Sequence, residues 1–416
     1  MDPVTLALIL AGSIIVIGFL GNYVLERTGF PDMLFLIILG MALGPLTGLV
    51  DAASIMSLAP YLAALALVFI LFDGGMTMNI YRVFSESPRA AILAIAGFAI
   101  NVVAVALFMM FFVIPELPPL YSLLFGTMYG GSSSIAIVSL VSKIKPSEKC
   151  TTVLSLESTM SDILQIVFSL VIIEIILTGK VDLVSVSQSI AGRFSIGIVL
   201  GVLFGLFWLS VLKRVMKAAY AYMLTLAIAL LAYSSSEFLG GSGALCSLLF
   251  GVVLGNEKEI YKILRMERPP NAVIDAGLKR FESEIAFLLR TFFFVYIGLM
   301  VTISDIKIVI VGVIISLILL LARFGAVRVA TARCSELIEE RPIMSVMLTR
   351  GLAAAVLATL PMQYAEINPV FKELSPVYNV PYYSIYINLA VLVILATAVI
   401  ATIGIPLLKR RARKAP

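Results

Sequence analysis

CTTVLSLESTMSDILQIVFSLVIIEIILT, residues 150–178, is the stretch that decides the fold: an apolar run with Glu157 and Asp162 in its interior. A helix of about 20 mostly apolar residues crosses a bilayer. A charged side chain near the bilayer centre costs roughly 2.5–3.5 kcal/mol on insertion scales, so it is kept only where it has a partner or a function. The run therefore predicts a membrane-spanning helix with a polar site.

The composition of the whole chain also indicates that it crosses a membrane. Of its 416 residues, 61% are hydrophobic and 13% are charged, and the mean hydropathy is +1.08. Soluble proteins are typically about 45–50% apolar. We therefore predict an all-α polytopic membrane protein. Thirteen segments are apolar enough to be transmembrane helices: 4–24, 32–48, 58–80, 90–114, 119–141, 150–178, 194–212, 218–237, 240–255, 284–303, 306–332, 343–363 and 382–408.

The basic residues predict the orientation. Most of the 30 Lys and Arg residues fall in alternate connections and in the basic tail 409–416, and the opposite connections hold only Lys180, Arg193, Lys307 and Lys372. Cytoplasmic loops carry an excess of Lys and Arg. We therefore expect the N-terminus outside, the C-terminus in the cytoplasm, and a multi-pass protein of the plasma membrane. The net charge of +5 reflects this bias and anionic lipid, so no nucleic-acid partner is expected.

The counts of histidine and cysteine exclude several kinds of site. The chain has no histidine, which excludes Ser-His and Cys-His catalytic units and the HExxH metalloprotease motif. Its three cysteines, at positions 150, 246 and 334, lack the spacing of a zinc site. We expect no catalytic residues, no cofactor and no enzymatic activity.

The order of the segments predicts one transmembrane domain, residues 1–416, made of two halves of about six helices. A polar connector, residues 256–283, separates the halves, and the chain ends soon after the last span. Spans at corresponding positions are interrupted by Gly130–Ser134 and by Arg350-Gly351. Transporters built from inverted repeats use such broken helices to expose backbone groups at the midplane. The alternative is that these small residues only permit close helix packing.

Charged residues inside the spans suggest two different roles. Asp162 and Ser158 are four residues apart and share a helix face, so both side chains can point at one ion. Glu157 lies about 140° around the helix from Asp162, since successive residues turn by about 100°. We interpret Asp162 as the carboxylate that exchanges a cation for a proton, and Glu157 as a structural carboxylate neutralised by an arginine, with Arg350 the favoured partner.

Other polar residues have weaker assignments. Asp73, before a glycine pair, is either an accessory cation ligand or a polar residue at a helix end. Arg290 either compensates a carboxylate or extends its guanidinium to the membrane surface. Ser132 and Ser133 offer oxygen atoms, which hard monovalent cations prefer as ligands, but serine also packs helices.

Together these motifs resemble the cation/proton antiporters of the NhaP and NHE type, over nearly the whole chain. The family's Phe-(Glu/Asp)-Gly-Gly stretch corresponds to Phe72–Gly75, and its Glu-Ser-x-x-Asn-Asp motif to Glu157–Asp162. Its Arg-Gly pair corresponds to Arg350-Gly351, and the Arg-Thr-Phe-Phe-Phe run of some relatives to Arg290–Phe294.

The resemblance implies thirteen helices, two crossed and interrupted helices, and a homodimer in which a core domain moves past a fixed dimerisation domain. It implies that Asp162 carries the ion or proton, that Ser158 is a side-chain ligand, and that Ser132 is a ligand through its main-chain carbonyl. Glu157 and Arg350 would form a stabilising pair, and Asp73 would belong to the ion pathway.

Two positions depart from the family pattern. Ser132-Ser133-Ser134 stands where Thr-Asp-Pro is usual, so Ser133 replaces a second aspartate, and Ser161 replaces the asparagine before Asp162. Both changes reduce the polar ligands near Asp162, and they bear on the choice between Na⁺ and K⁺.

The predicted function is secondary antiport of a monovalent cation, Na⁺ favoured, for H⁺, with pH homeostasis as its purpose. Cation and proton would compete at Asp162, and one exchanging carboxylate implies electroneutral 1:1 exchange. The alternatives are a K⁺/H⁺ antiporter, a transporter of an organic solute and an ion channel. No selectivity-filter run such as Thr-Val-Gly-Tyr-Gly supports the channel.

Overall fold

The computed structural model is predominantly helical over the residues that it describes. These are residues 3–412, except for gaps at 29–31, 51–58, 78–86, 134–135, 138–139, 142–143, 145, 180–182, 216–219, 264, 266–273, 275, 303–304 and 333. Within them no β-strand occurs beyond one isolated bridge, Leu374 to Pro381. Lipid offers no hydrogen bonds, so a spanning segment must satisfy its own backbone, as a helix does.

The helices follow the predicted segments in order. They are α1 (Pro3–Thr28), α2 (Asp32–Met41), α3 (Ala59–Thr77), α4 (Ser87–Phe108), α5 (Pro119–Met128), α6 (Glu148–Thr178), α7 (Leu183–Val215), α8 (Ala221–Phe238), α9 (Gly243–Gly255), α10 (Glu257–Ile263), α11 (Ala276–Met300), α12 (Ile306–Ala330), α13 (Ser335–Ile338), α14 (Arg341–Val346), α15 (Leu352–Gln363) and α16 (Tyr382–Ala412). Single π-helical turns follow α2 and α4, at Ala42–Leu46 and Met109–Val113, and a 3₁₀ turn spans Pro369–Lys372.

Each of the thirteen predicted segments contains a helix. Seven helices among the described residues are long and apolar enough to span a membrane, and shorter apolar helices accompany them. The all-α polytopic prediction is therefore confirmed. The chain divides into two compact units, one of residues 1–59, 86–179 and 291–416, the other of residues 60–85 and 180–290.

In the first unit, α6 and α16 are the longest helices, with 31 residues each, and α6 has a clear start and end. The Ser147 hydroxyl caps the start of α6 by accepting a hydrogen bond from the Cys150 amide at 3.2 Å. Gly179, in the left-handed conformation, ends α6. Helix α6 packs against α4, α5 and α15, and α12 packs against α4, α14 and α16. An apolar cluster that includes Val153, Ala326 and Met344 fills the space between α6, α12 and α14.

In the second unit, α7, α8 and α9 pack on one another. The indole of Trp208 is buried and donates a hydrogen bond to Thr225 Oγ1 at 3.0 Å. Helix α3 approaches α9 at a glycine: a Cβ atom on Gly75 would lie 2.3 Å from the carbonyl oxygen of Leu248. In lipid such close packing replaces the hydrophobic effect as the force that joins helices.

The start of α11 differs from the prediction. The predicted apolar segment begins at residue 284, but the helix begins at Ala276. Its first turns are amphipathic, with Lys279 and Arg280 exposed and Leu278 buried. The charged face lowers the average hydropathy there, which is why hydropathy places these turns in the connector.

Candidate functional site

Two helix interruptions in the first unit meet each other. The first follows α5, which ends at Met128, and Ala136 is the next residue that the structure describes as helical; the second lies between α14 and α15, at residues 347–351. The Ser133 amide donates a hydrogen bond of 2.7 Å to the carbonyl oxygen of Thr349. The predicted crossing of two interrupted helices is therefore confirmed, while Ser134 of the first interruption lies outside the described residues.

Gly351 makes the close approach possible. A Cβ atom at this position would lie 2.3 Å from Ser133 Oγ and 2.7 Å from Ser133 Cβ. Any larger residue would therefore push the two interruptions apart. The Arg350-Gly351 pair thus combines a charge at arginine with a packing role at glycine.

Helix α6 supports the backbone of the first interruption. Ser161 Oγ accepts a hydrogen bond from the Ser132 amide at 3.0 Å. Gln165 Oε1 accepts one from the Gly131 amide at 3.1 Å, and its Nε2 donates one to the Met128 carbonyl at 2.6 Å. From α4, Asn101 Nδ2 donates to the Gly130 carbonyl at 2.9 Å. Backbone groups released by the break thus find partners inside the protein, as a membrane interior requires.

Asp162 lies on α6 next to this support. Its side chain is partly buried, and its charge lies within electrostatic reach of Arg350. Ser158, one turn earlier, is fully buried, and its hydroxyl donates a hydrogen bond to the Ser155 carbonyl at 3.0 Å. The helix therefore places Ser158, Ser161 and Asp162 beside the interruption that contains Ser132.

Glu157 has a different ion-pair partner from the one predicted. Arg323 of α12 donates from Nη1 to Glu157 Oε1 at 2.8 Å and from Nη2 to Oε2 at 2.9 Å. Its Nε also donates to the Met344 carbonyl at 3.2 Å. The Glu157 and Arg323 side chains are only 2% and 3% exposed. This is a planar, two-bond pair of the kind that arginine favours with carboxylates.

Arg350 is connected to this pair through Ser132. Arg350 Nη1 donates to Ser132 Oγ at 3.4 Å, and Ser132 Oγ donates to Glu157 Oε1 at 3.3 Å. Arg350 also donates to the Leu348 carbonyl at 3.0 Å, and its amide donates to Thr397 Oγ1 at 3.1 Å. The expected Glu157–Arg350 pair is corrected, because Arg323 is the ion-pair partner of Glu157. Arg350 is 1% exposed, and its charge lies within electrostatic reach of both Glu157 and Asp162.

Several residues of this site were missed by sequence reasoning. The sequence does indicate a role for Arg323, because an arginine in the middle of an apolar span is costly without a partner. Gln165 gave a weaker signal, as one amide in an apolar run. Asn101 and Thr397 gave none, because their roles depend on which backbone they face.

Two predicted site residues, Asp73 and Arg290, belong to the second unit. Asp73 Oδ1 accepts a hydrogen bond from Ser283 Oγ at 2.8 Å, and Arg290 lies within electrostatic reach of Asp73. Their predicted role in the ion pathway stays a prediction. So does the main-chain carbonyl of Ser132 as a ligand.

The oxygens of this site suit one kind of cargo. Carboxylate, hydroxyl and main-chain carbonyl oxygens are ligands for hard cations. Within the described part of the chain, no group of three or more His, Cys, Asp or Glu residues is arranged to hold a metal ion. A single carboxylate among hydroxyl groups fits a monovalent ion or a proton better than a tightly held divalent metal.

Comparisons with known proteins agree with this chemistry. The family model described as "Sodium/hydrogen exchanger, transmembrane" matches residues 3–410. A K(+)/H(+) antiporter NhaP2 from Shewanella sp. strain ANA-3 is 32% identical over 246 residues, which are 56% of this chain and 41% of that protein. The Na(+)/H(+) antiporter 1 of Methanocaldococcus jannaschii is 25% identical over 70% of this chain and 68% of its own length.

Among solved structures, the sodium proton antiporter MjNhaP1 from Methanocaldococcus jannaschii superposes with a TM-score of 0.79 at 21% identity. The match covers 99% of this chain and 100% of that one. At this identity the likeness shows the fold. With the K(+)/H(+) antiporters named NhaP2, this chain shares less than half of their length.

Proposed function

Because the chain belongs to the sodium/hydrogen exchanger family, we propose that it is a secondary antiporter that exchanges a monovalent cation for H⁺ across a membrane. It is a multi-pass membrane protein, and the family and its structural neighbours are transporters, not enzymes. The cation and the proton are cargo, and the proposal needs no cofactor.

One observation carries the proposal: the crossing of the two interruptions at Ser133 and Thr349, next to a helix that presents Asp162. Interrupted helices at the midplane of a transporter expose backbone dipoles to an ion. The neighbouring Glu157–Arg323 pair is already neutral, so Asp162 is the carboxylate beside the crossing that can exchange one ligand for another.

Competition at this carboxylate gives the mechanism. Ionised Asp162 binds the cation, with Ser158, Ser161 and oxygens near Ser132 and Ser133 as further ligands. When a proton replaces the cation, the site is again neutral. Moving the site empty would carry an uncompensated charge through an apolar barrier, which is costly and prevents uncoupled movement.

The proposal also covers the identity of the cation and the assembly of the protein. We predict Na⁺, and K⁺ is the second candidate because the 32%-identical relatives carry the name K(+)/H(+) antiporter. A homodimer in the plasma membrane, with the N-terminus outside and elevator-like movement of a core domain, completes the proposal.

Purified protein in liposomes that contain a pH-sensitive dye tests it. Na⁺, Li⁺ or K⁺ is added outside in turn, and the wild type is compared with Asp162→Asn. We expect cation-driven proton movement that is lost in the variant. Glu174→Gln is the matched control, because Glu174 lies on the same helix outside the site, and it should retain transport.

The cation that drives the dye response decides between Na⁺ and K⁺. Transport at the wild-type rate in Asp162→Asn would overturn the proposed site. Cation flux without any coupled proton movement would show a channel instead of an antiporter.

A further inference from the structure

Glu282 is a buried carboxyl group outside the site described above. It is 1% exposed, and within the described residues no hydrogen-bond donor reaches either of its carboxylate oxygens. An ionised carboxylate that is buried without a donor is strongly unfavourable. The Glu282 carboxyl group is therefore expected to bind a cation or a proton that neutralises its charge.

The phase of α11 directs Glu282 inward. Its neighbours Lys279, Arg280, Ser283 and Glu284 are exposed, whereas Leu278, one turn earlier, is fully buried. Glu282 and Leu278 are four residues apart and so share the buried face of the helix. The inward direction of the carboxyl group is thus fixed by the amphipathic first turns.

Asp73 of α3 lies beside it. Ser283, the next residue after Glu282, donates the hydrogen bond of 2.8 Å to Asp73 Oδ1 and holds the two helices together at this level. Glu282 lies within electrostatic reach of Asp73, and Asp73 within reach of Arg290. Among the described residues, the charged groups that interact here are the carboxyl groups of Glu282 and Asp73 and the guanidinium of Arg290.

We propose that Glu282 and Asp73 form a binding site for one proton, distinct in its residues from the exchange site at Asp162. Two carboxylates that share a site do not both ionise readily, so one proton is held by the pair. With that proton bound, the remaining negative charge is balanced by Arg290, and the group is neutral. A metal cation would need several oxygen ligands around it, whereas a proton needs only the two carboxyl groups.

Infrared difference spectroscopy of the purified protein, recorded while pH is varied, tests the proposal without any transport. A protonated carboxyl group gives its own C=O stretching band. We expect a band in the wild type that titrates with pH and is lost in Glu282→Gln. Asp73→Asn removes the neighbouring like charge and should change the pH at which this band titrates.

Glu284→Gln is the matched control, since Glu284 lies two residues along the same helix, is exposed and pairs with Arg280 at 2.9 Å. This variant should keep the band. A spectrum of folded Glu282→Gln that matches the wild type over the whole pH range would overturn the proposal. If Glu282→Gln does not fold, an unshifted titration in Asp73→Asn would overturn it instead. Either result is independent of whether Asp162 exchanges a cation.

Discussion

Arg323 shows at the scale of single residues how this protein places charge inside a membrane. Its guanidinium makes two hydrogen bonds, of 2.8 and 2.9 Å, with Glu157, and both side chains are almost completely buried. Removing one partner of such a pair leaves an uncompensated buried charge. The pair therefore stabilises α6 against α12 only as long as both partners are present.

We predict that Arg323→Met lowers the free energy of unfolding by about 3–5 kcal/mol. The double variant Glu157→Leu with Arg323→Met should recover most of this loss, because no buried charge is left alone. Melting temperatures of the purified protein in one detergent provide the measurement.

Arg280→Met is the control for this prediction. It removes the exposed pair with Glu284, which is expected to contribute about 0–1 kcal/mol. A wild-type melting temperature in Arg323→Met would show that the buried pair does not stabilise the fold.

At the scale of helices, the crossing of the two interruptions depends on the absence of a side chain at one position. We predict that Gly351→Ala weakens both folding and transport, since the added Cβ would lie 2.3 Å from Ser133 Oγ. Adding Ser133→Gly removes the Oγ and Cβ atoms that the alanine meets and should restore thermal stability. Melting curves and the liposome dye assay measure both effects.

Gly325→Ala is the matched control for the crossing. Gly325 lies in α12, where an added Cβ atom would meet nothing within 4 Å, and alanine favours a helix over glycine by about 1 kcal/mol. It should leave stability equal or slightly higher. Equal stability of Gly351→Ala and the wild type would mean that the interruptions tolerate a wider separation.

How far the sequence predicts these elements depends on whether the signal is local. The apolar runs predict the helices, and Gly130–Ser134 and Arg350-Gly351 predict the interruptions, because span length and helix breaks depend on neighbouring residues. Helical period also separates the faces of Glu157 and Asp162. Which arginine meets Glu157 is not local: Arg323 is 166 residues away, and only the packing of the helices selects it over Arg350.

Glu282 illustrates a second reason why prediction from sequence fails, namely that averaging hydropathy hides a buried helix face. Its charged neighbours dilute the apolar average, so hydropathy places the first turns of α11 in a surface connector. The helix buries the residue because opposite faces of one helix can differ while their mean is polar. A buried carboxyl group at the edge of a span is therefore easy to miss from hydropathy alone.

At the scale of the whole molecule, the balance of charges determines how transport responds to voltage. In the first unit the Glu157–Arg323 pair is neutral, and Asp162 is neutralised by either a cation or a proton in the proposed cycle. Exchange of one for the other then moves no net charge across the membrane. This requires that the proton proposed for Glu282 and Asp73 stays bound throughout the cycle.

We therefore predict that the cation gradient at equilibrium depends only on the pH gradient and does not depend on the membrane potential. One net charge per cycle would instead contribute about 2.3 kcal/mol at 100 mV, which is roughly fifty-fold in the equilibrium ratio of concentrations. Liposomes with a fixed pH gradient and an imposed potential of either sign measure this. We expect equal cation gradients at both potentials. A gradient that changes with the sign of the potential would mean that a second proton crosses the membrane in exchange for each cation. The Glu282–Asp73 pair would then be the carrier of that proton.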